Sequence, residues 1–169
     1  VIDDGRHLVL VGLMGTGKST VARALGQRLG RRVVDTDLEV ERRSGRTVRE
    51  LIVDDGEQVF RDLESAVLAE ALAGVDPVVI AGAGGVVLRG DNRAAIVASG
   101  ARVVWLAAEP GALVERVSAG GHRPALDGDP EGTLRRMHET REPLYREVAH
   151  QIISVDGRSV VDVVEAILR

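Results

Sequence analysis

A three-layer α/β sandwich with a five-stranded, mostly parallel sheet and helices on both faces is the fold class predicted for this 169-residue chain. Three observations predict it. Short apolar runs alternate with stretches of helical spacing, the pattern in which parallel strands are joined by helical crossovers. Glycine-rich or acidic turns follow the first three runs, where such sheets gather ligands beyond the carboxyl ends of their strands. The length suits one compact domain, taken here as residues 1–169.

The first run, residues 7–11, ends in a glycine loop and reads as a buried strand. Val21, Ala22, Leu25 and Leu29 then recur at helical spacing over residues 19–29, with Gly30 as the stop. A second strand over 32–34 ends at Asp35-Thr36-Asp37. Helices are predicted over 38–44 and 47–54, and a longer one over 57–73 carries Val59, Phe60, Leu63, Val67, Leu68 and Leu72. Residues 77–81 form a third strand that feeds Gly82-Ala83-Gly84-Gly85, and 92–99 are helical. A fourth strand covers 102–107, and Pro110 is placed to open the next helix. Residues 118–129 are rich in Gly, Pro and Asp and read as an exposed, flexible lid. Helix follows over 130–149 with a break near Pro143, then a fifth strand over 151–155 and a last helix over 159–168.

Composition removes several function classes. The net charge is −4, against the basic surplus of a general nucleic-acid binder. There are no cysteines, so disulfides, thiolate metal sites and cysteine nucleophiles are excluded, and a reducing cytosol suits the chain. No apolar run reaches the ~20 residues of a membrane span. The first residues lack a basic stretch leading into an apolar one, so no signal peptide is expected, and the chain does not begin with Met. Of 22 basic residues, Lys18 is the one lysine, which makes it a candidate for chemistry that arginine does not supply. His7, His122, His138 and His150 are scattered and form no spaced metal cluster.

Gly12-Leu13-Met14-Gly15-Thr16-Gly17-Lys18-Ser19-Thr20 matches G-x-x-x-x-G-K-[ST], with a strand before it and a helix after it. Gly15 and Gly17 allow backbone dihedrals closed to other residues. Successive N–H groups then form an anion nest at a helix N-terminus. Lys18 offers a compact charge to β- and γ-phosphates, and Ser19 a hydroxyl to Mg²⁺. Gly15, Thr16, Gly17, Lys18, Ser19 and Thr20 are the expected nucleotide contacts. The competing reading is a plain glycine turn. No N-K-x-D guanine motif follows, and a small-molecule or nucleotide kinase of the P-loop NTPase type is the remaining class.

The acceptor side is less determined. Asp35 and Asp37 lie one residue apart at a strand end, where alternation sends their side chains the same way. One could support the metal through water and the other accept a proton from an attacking hydroxyl; a polar turn with an N-cap fits as well. Arg61 and Glu64, three apart in Gly56-Glu57-Gln58-Val59-Phe60-Arg61-Asp62-Leu63-Glu64, share a helix face. Such a pair is either a held fork for a carboxylate or a solvated surface pair. Gly84 and Gly85 permit close approach of a ligand to the backbone. Arg123, in the Gly120-Gly121-His122-Arg123-Pro124 stretch, could close over the nucleotide or be solvated.

Taken in order, GLMGTGKST, Asp35-Thr36-Asp37, GEQVFRDLE at 56–64, the second glycine cluster, Arg123-Pro124 and REPLYREVA at 141–149 resemble the shikimate kinase family from His7 to Leu168. The resemblance implies ATP-dependent phosphorylation of the 3-hydroxyl of shikimate, with Mg²⁺, in the route to aromatic amino acids. It implies that Asp37 binds ring hydroxyls and acts as base, and that Arg61 and Arg141 grip the carboxylate, with Glu64 orienting Arg61. Gly84 and Gly85 would line the pocket, and Lys18 and Arg123 would contact phosphates and serve catalysis. Ser19 would ligate the metal, with Asp35 supporting it through water, and Arg116 and Arg158 would lie near adenine. The family pattern has three consecutive glycines where this chain has Ala83-Gly84-Gly85, which suggests a methyl crowding the substrate. A gluconate-type sugar-acid kinase is the alternative within the fold, and a non-catalytic nucleotide-binding module the alternative outside enzymes. A cytoplasmic monomer that binds small molecules, and neither nucleic acid nor membrane, is expected.

Overall fold

A computed structural model describes residues 3–120 and 123–169. The strands are β1 (Leu8–Val11), β2 (Val33–Asp35), β3 (Val79–Ala81), β4 (Arg102–Ala107) and β5 (Gln151–Ser154). The helices are α1 (Lys18–Leu29), α2 (Thr36–Ser44), α3 (Val48–Asp55), α4 (Glu57–Ala73), α5 (Gly90–Ala98), α6 (Pro110–Ala119), α7 (Pro130–Val148) and α8 (Val160–Ile167). Short 3₁₀ turns span Val86–Leu88 and Pro124–Leu126.

The sheet runs β2-β3-β1-β4-β5 with every pairing parallel, where the sequence suggested a mostly parallel one. Strands covered on both faces read as continuous apolar runs; all four residues of β1 and all three of β3 are buried. Helices α1 and α8 pack together on one face, and α4, α5 and α7 form the opposite layer. The chain reverses direction across the sheet at β1, between β3 and β4, and this switch point opens a crevice at the carboxyl edge. Register fixes what meets there. Leu10 and Asp35 both lie opposite Ala81. The loops after β1, β2 and β3 therefore leave the sheet along one line.

Most predicted elements stand within two residues of their observed bounds, with three corrections. Asp37 does not end a strand: β2 stops at Asp35, whose carboxylate caps α2 by accepting from the Leu38 N–H at 3.2 Å. Asp37 thus sits in the first helical turn, and the alternation reading fails because the cap turns the chain one residue earlier. Pro143 breaks nothing, since α7 runs through it to Val148. One helical hydrogen bond is forfeited there, while Leu134, Arg141, Tyr145 and Val148 are buried along the helix. The exposed segment set at 118–129 begins later, because α6 continues to Ala119, and Leu126 within it is buried. Gly121 and His122, together with Val1 and Ile2, lie outside the described residues.

Candidate active site

The loop Gly12–Ser19 leaves β1 and enters α1. A Cβ at Gly12 would collide with the Leu106 carbonyl, so this position needs glycine for close approach to β4. Gly15 and Gly17 hold φ of 83° and 88°, the left-handed region open to glycine at little cost. Gly17 is the N-cap of α1 and no side chain caps that terminus. Its N–H groups stay available to an anion. The Thr16 hydroxyl turns inward and donates to the Leu13 carbonyl at 2.8 Å, which braces the loop. Ser19 and Thr20 face solvent, and Ser19 Oγ donates to Asp35 Oδ2.

Lys18 Nζ lies across the loop and donates to the Gly12 and Leu13 carbonyls at 2.8 Å each. Burial lowers its pKa to about 8 against the opposing pull of Asp37 and Asp35, and Arg123 and Arg141 are near enough to add repulsion. Asp37 is shifted the other way. Burial and the Asp35 charge raise it, and Lys18 and Arg61 restrain the rise. Its Oδ1 is buried with no hydrogen-bond partner among the described residues. Such an atom costs free energy until a donor reaches it.

Arg61 and Glu64 are not a solvated surface pair. Arg61 Nη1 bonds both Glu64 oxygens at 3.0 Å, and the side chains are 11% and 0% exposed. Glu57 approaches the same guanidinium at 3.3 Å, and the Phe60 ring lies 5.0 Å from its Cζ. Burial raises the Glu64 pKa, opposed by Arg61. Gly85 sits flat against this guanidinium, so that a methyl there would lie 2.6 Å from Cζ of Arg61. A methyl at Gly84 would meet Met14 N at 3.2 Å and Arg141 Nη1 at 3.4 Å. The second glycine cluster therefore fills the seam between the phosphate loop and both arginines. Ala83 does not crowd that seam; it belongs to the hydrophobic core, and its N–H donates to Thr36 Oγ1 at 2.9 Å.

Lys18, Asp35, Asp37, Arg61, Glu64, Arg123 and Arg141 thus share one charged crevice. Arg116, on α6, places Nη1 3.5 Å from the Gly15 carbonyl, against the outer side of the loop. Arg158 stands apart. It is exposed in the turn after β5, and among the described residues no hydrogen bond or ion pair joins it to the loop. Two contributors escaped the sequence reading. Thr36, fully buried between the two aspartates, joins β2 to the glycine cluster. Tyr145, also fully buried, donates its hydroxyl to the Gly84 carbonyl. Its place four residues after Arg141, on the same helix face, is the signal that could have found it.

The family model for shikimate kinase matches residues 14–169. The chain belongs to the shikimate kinase family. As a member it is an ATP-using phosphotransferase. It is 48% identical over 165 residues to a shikimate kinase of Symbiobacterium thermophilum, covering 96% of this chain and 94% of that one. Identity to a Pseudomonas entomophila shikimate kinase is 44% over 165 residues, with 95% of each chain covered. The solved structure of the Acinetobacter baumannii shikimate kinase in complex with shikimate superposes with a TM-score of 0.92 at 35% identity, covering 98% of this chain and 92% of that one. No helix among the described residues is long and apolar enough to cross a membrane.

Proposed function

We propose that this chain transfers the γ-phosphoryl group of ATP to the 3-hydroxyl of shikimate, giving shikimate 3-phosphate and ADP. The observation that carries the reading is the unsatisfied Asp37 Oδ1, held between the Lys18 charge and the Arg61 charge. A neutral hydroxyl donor satisfies that oxygen. A neighbouring carboxylate on the same small ring answers two arginine forks, Arg61 and Arg141.

The chemistry follows from the positions. The triphosphate would lie on the loop N–H groups, Gly15 to Thr20, with Lys18 at the β- and γ-phosphates, Arg123 closing from the lid side and Arg116 toward adenine. The acceptor oxygen attacks the γ-phosphorus, an O–P bond forms, and the bond to the bridging oxygen breaks with its electron pair leaving on ADP. The hydroxyl proton passes to Asp37, whose raised pKa suits a base. Catalysis of this kind is positioning and charge neutralisation. Among the described residues no group of three or more His, Asp or Glu side chains could hold an ion. The joined Ser19 hydroxyl and Asp35 carboxylate do fit Mg²⁺, which is held by oxygens, water and phosphate together. The metal, when bound with ATP, neutralises phosphate charge. Arg158 is assigned to the adenine end on the family pattern. The working unit is one domain, 1–169, with a lid that begins after α6, acting as a cytoplasmic monomer.

The test is ADP release by purified protein with Mg-ATP. Turnover is expected with shikimate and not with gluconate or nucleoside monophosphates. Background ADP release with shikimate overturns the reading.

A further inference from the structure

The sequence has one tyrosine, Tyr145, and it is fully buried on α7. Its ring lies 5.7 Å from that of Trp105. A phenol placed so deep needs a partner for its hydroxyl, and that partner and the charge beside it both belong to the acceptor wall. The hydroxyl donates to the Gly84 carbonyl. Arg141, one turn earlier on the same helix, is near enough for its charge to favour the ionised phenol against burial. A phenol has one proton to donate and lone pairs to accept; the proton goes to Gly84, and the lone pairs are left for a cation such as the neighbouring Arg141.

Two consequences follow. The Gly84–Gly85 peptide is trans and planar. With its C=O fixed on Tyr145, its N–H, on Gly85, points the opposite way, away from the tyrosine ring. The Arg141 guanidinium lies beside the same peptide, with Nη1 3.4 Å from where a methyl on Gly84 would stand, and its planar fork has donors to offer an anion. We propose that Tyr145 is a positioning residue for the acceptor, its hydroxyl aiming the Gly85 N–H and the Arg141 fork together at the substrate carboxylate. The inference rests on the proposed function, in which Arg141 and the glycine cluster hold that carboxylate. Burial pushes the phenol pKa up to about 12, so the hydroxyl remains a donor across the working range.

Tyr145→Phe keeps the ring and removes the oxygen. The KM for shikimate should rise about tenfold, the scale of one charge-assisted hydrogen bond, while the KM for ATP stays within about twofold. In an Arg141→Ala background the same change should cost far less, because the two act as a unit. A KM for shikimate unchanged in Tyr145→Phe overturns the inference. So does a rise of equal size in both backgrounds, which marks mere packing. A second measurement does not depend on that variant folding. Incorporated 3-fluorotyrosine labels this one position, and its ¹⁹F resonance should move on adding shikimate. A resonance unmoved by saturating shikimate sinks the proposal. If the unmodified protein itself fails to turn over shikimate, the proposed function fails instead, so the two failures are distinguishable.

Discussion

The two walls of the crevice are built from different materials. The proposed phosphate wall is backbone: three glycines at positive φ, Gly12, Gly15 and Gly17, an uncapped helix terminus, and exposed hydroxyls at Ser19 and Thr20. The proposed acceptor wall is side chain: Arg61 locked to a fully buried Glu64, and Arg141 and Tyr145 buried on α7. A backbone cradle can lose a side chain and keep its shape. A wall of buried paired charges cannot, because removal of one partner leaves the other without compensation. Function and stability should therefore separate on the first wall and move together on the second.

Lys18→Ala is the largest expected effect and tests the first half of that contrast. Loss of one charge aimed at the transferring group should lower kcat roughly 10²–10³-fold, with the circular dichroism spectrum unchanged. A melting transition that collapses with activity would mean the cradle depends on this side chain.

Arg61→Ala tests the second half. The KM for shikimate should rise roughly ten- to a hundredfold, since charged hydrogen bonds are worth about 1.5–3 kcal/mol. Glu64 then loses its cation, and stability should fall by about 3 kcal/mol. The Glu64 pKa is already raised in the folded protein. The folded state therefore holds that proton more tightly than the unfolded chain, and the loss grows as pH rises above the ordinary carboxylate value. Urea melts at low and neutral pH would check this; a deficit that shrinks with rising pH breaks the assignment.

The smallest effect is graded by pH. Lys18, at about 8 when folded against an ordinary 10.5, binds its proton more weakly folded than unfolded. Between those values its contribution to stability rises with pH. Phosphate binding has the opposite sign, because it needs the charged form. The Kd for ATP should rise above pH 8, by up to about tenfold per unit. A flat Kd up to pH 10 would show that Lys18 keeps its proton without ligand.

The sequence by itself determined the alternating fold, the phosphate loop and the reaction class. These are local matters: periodicity, glycine dihedrals and a lysine at fixed spacing each declare themselves within about ten residues. The partnership of Arg61 with Glu64 was readable from spacing too, but its burial was not, and burial is what turns a surface pair into a held fork. Only the tertiary structure decided that Asp37 sits in the first turn of α2, that the 77–85 segment seats its glycines against arginines from α4 and α7, and that Tyr145 reaches Gly84. Those contacts join residues up to 61 positions apart, and distance along a chain carries no record of which side chains the sheet register will bring together.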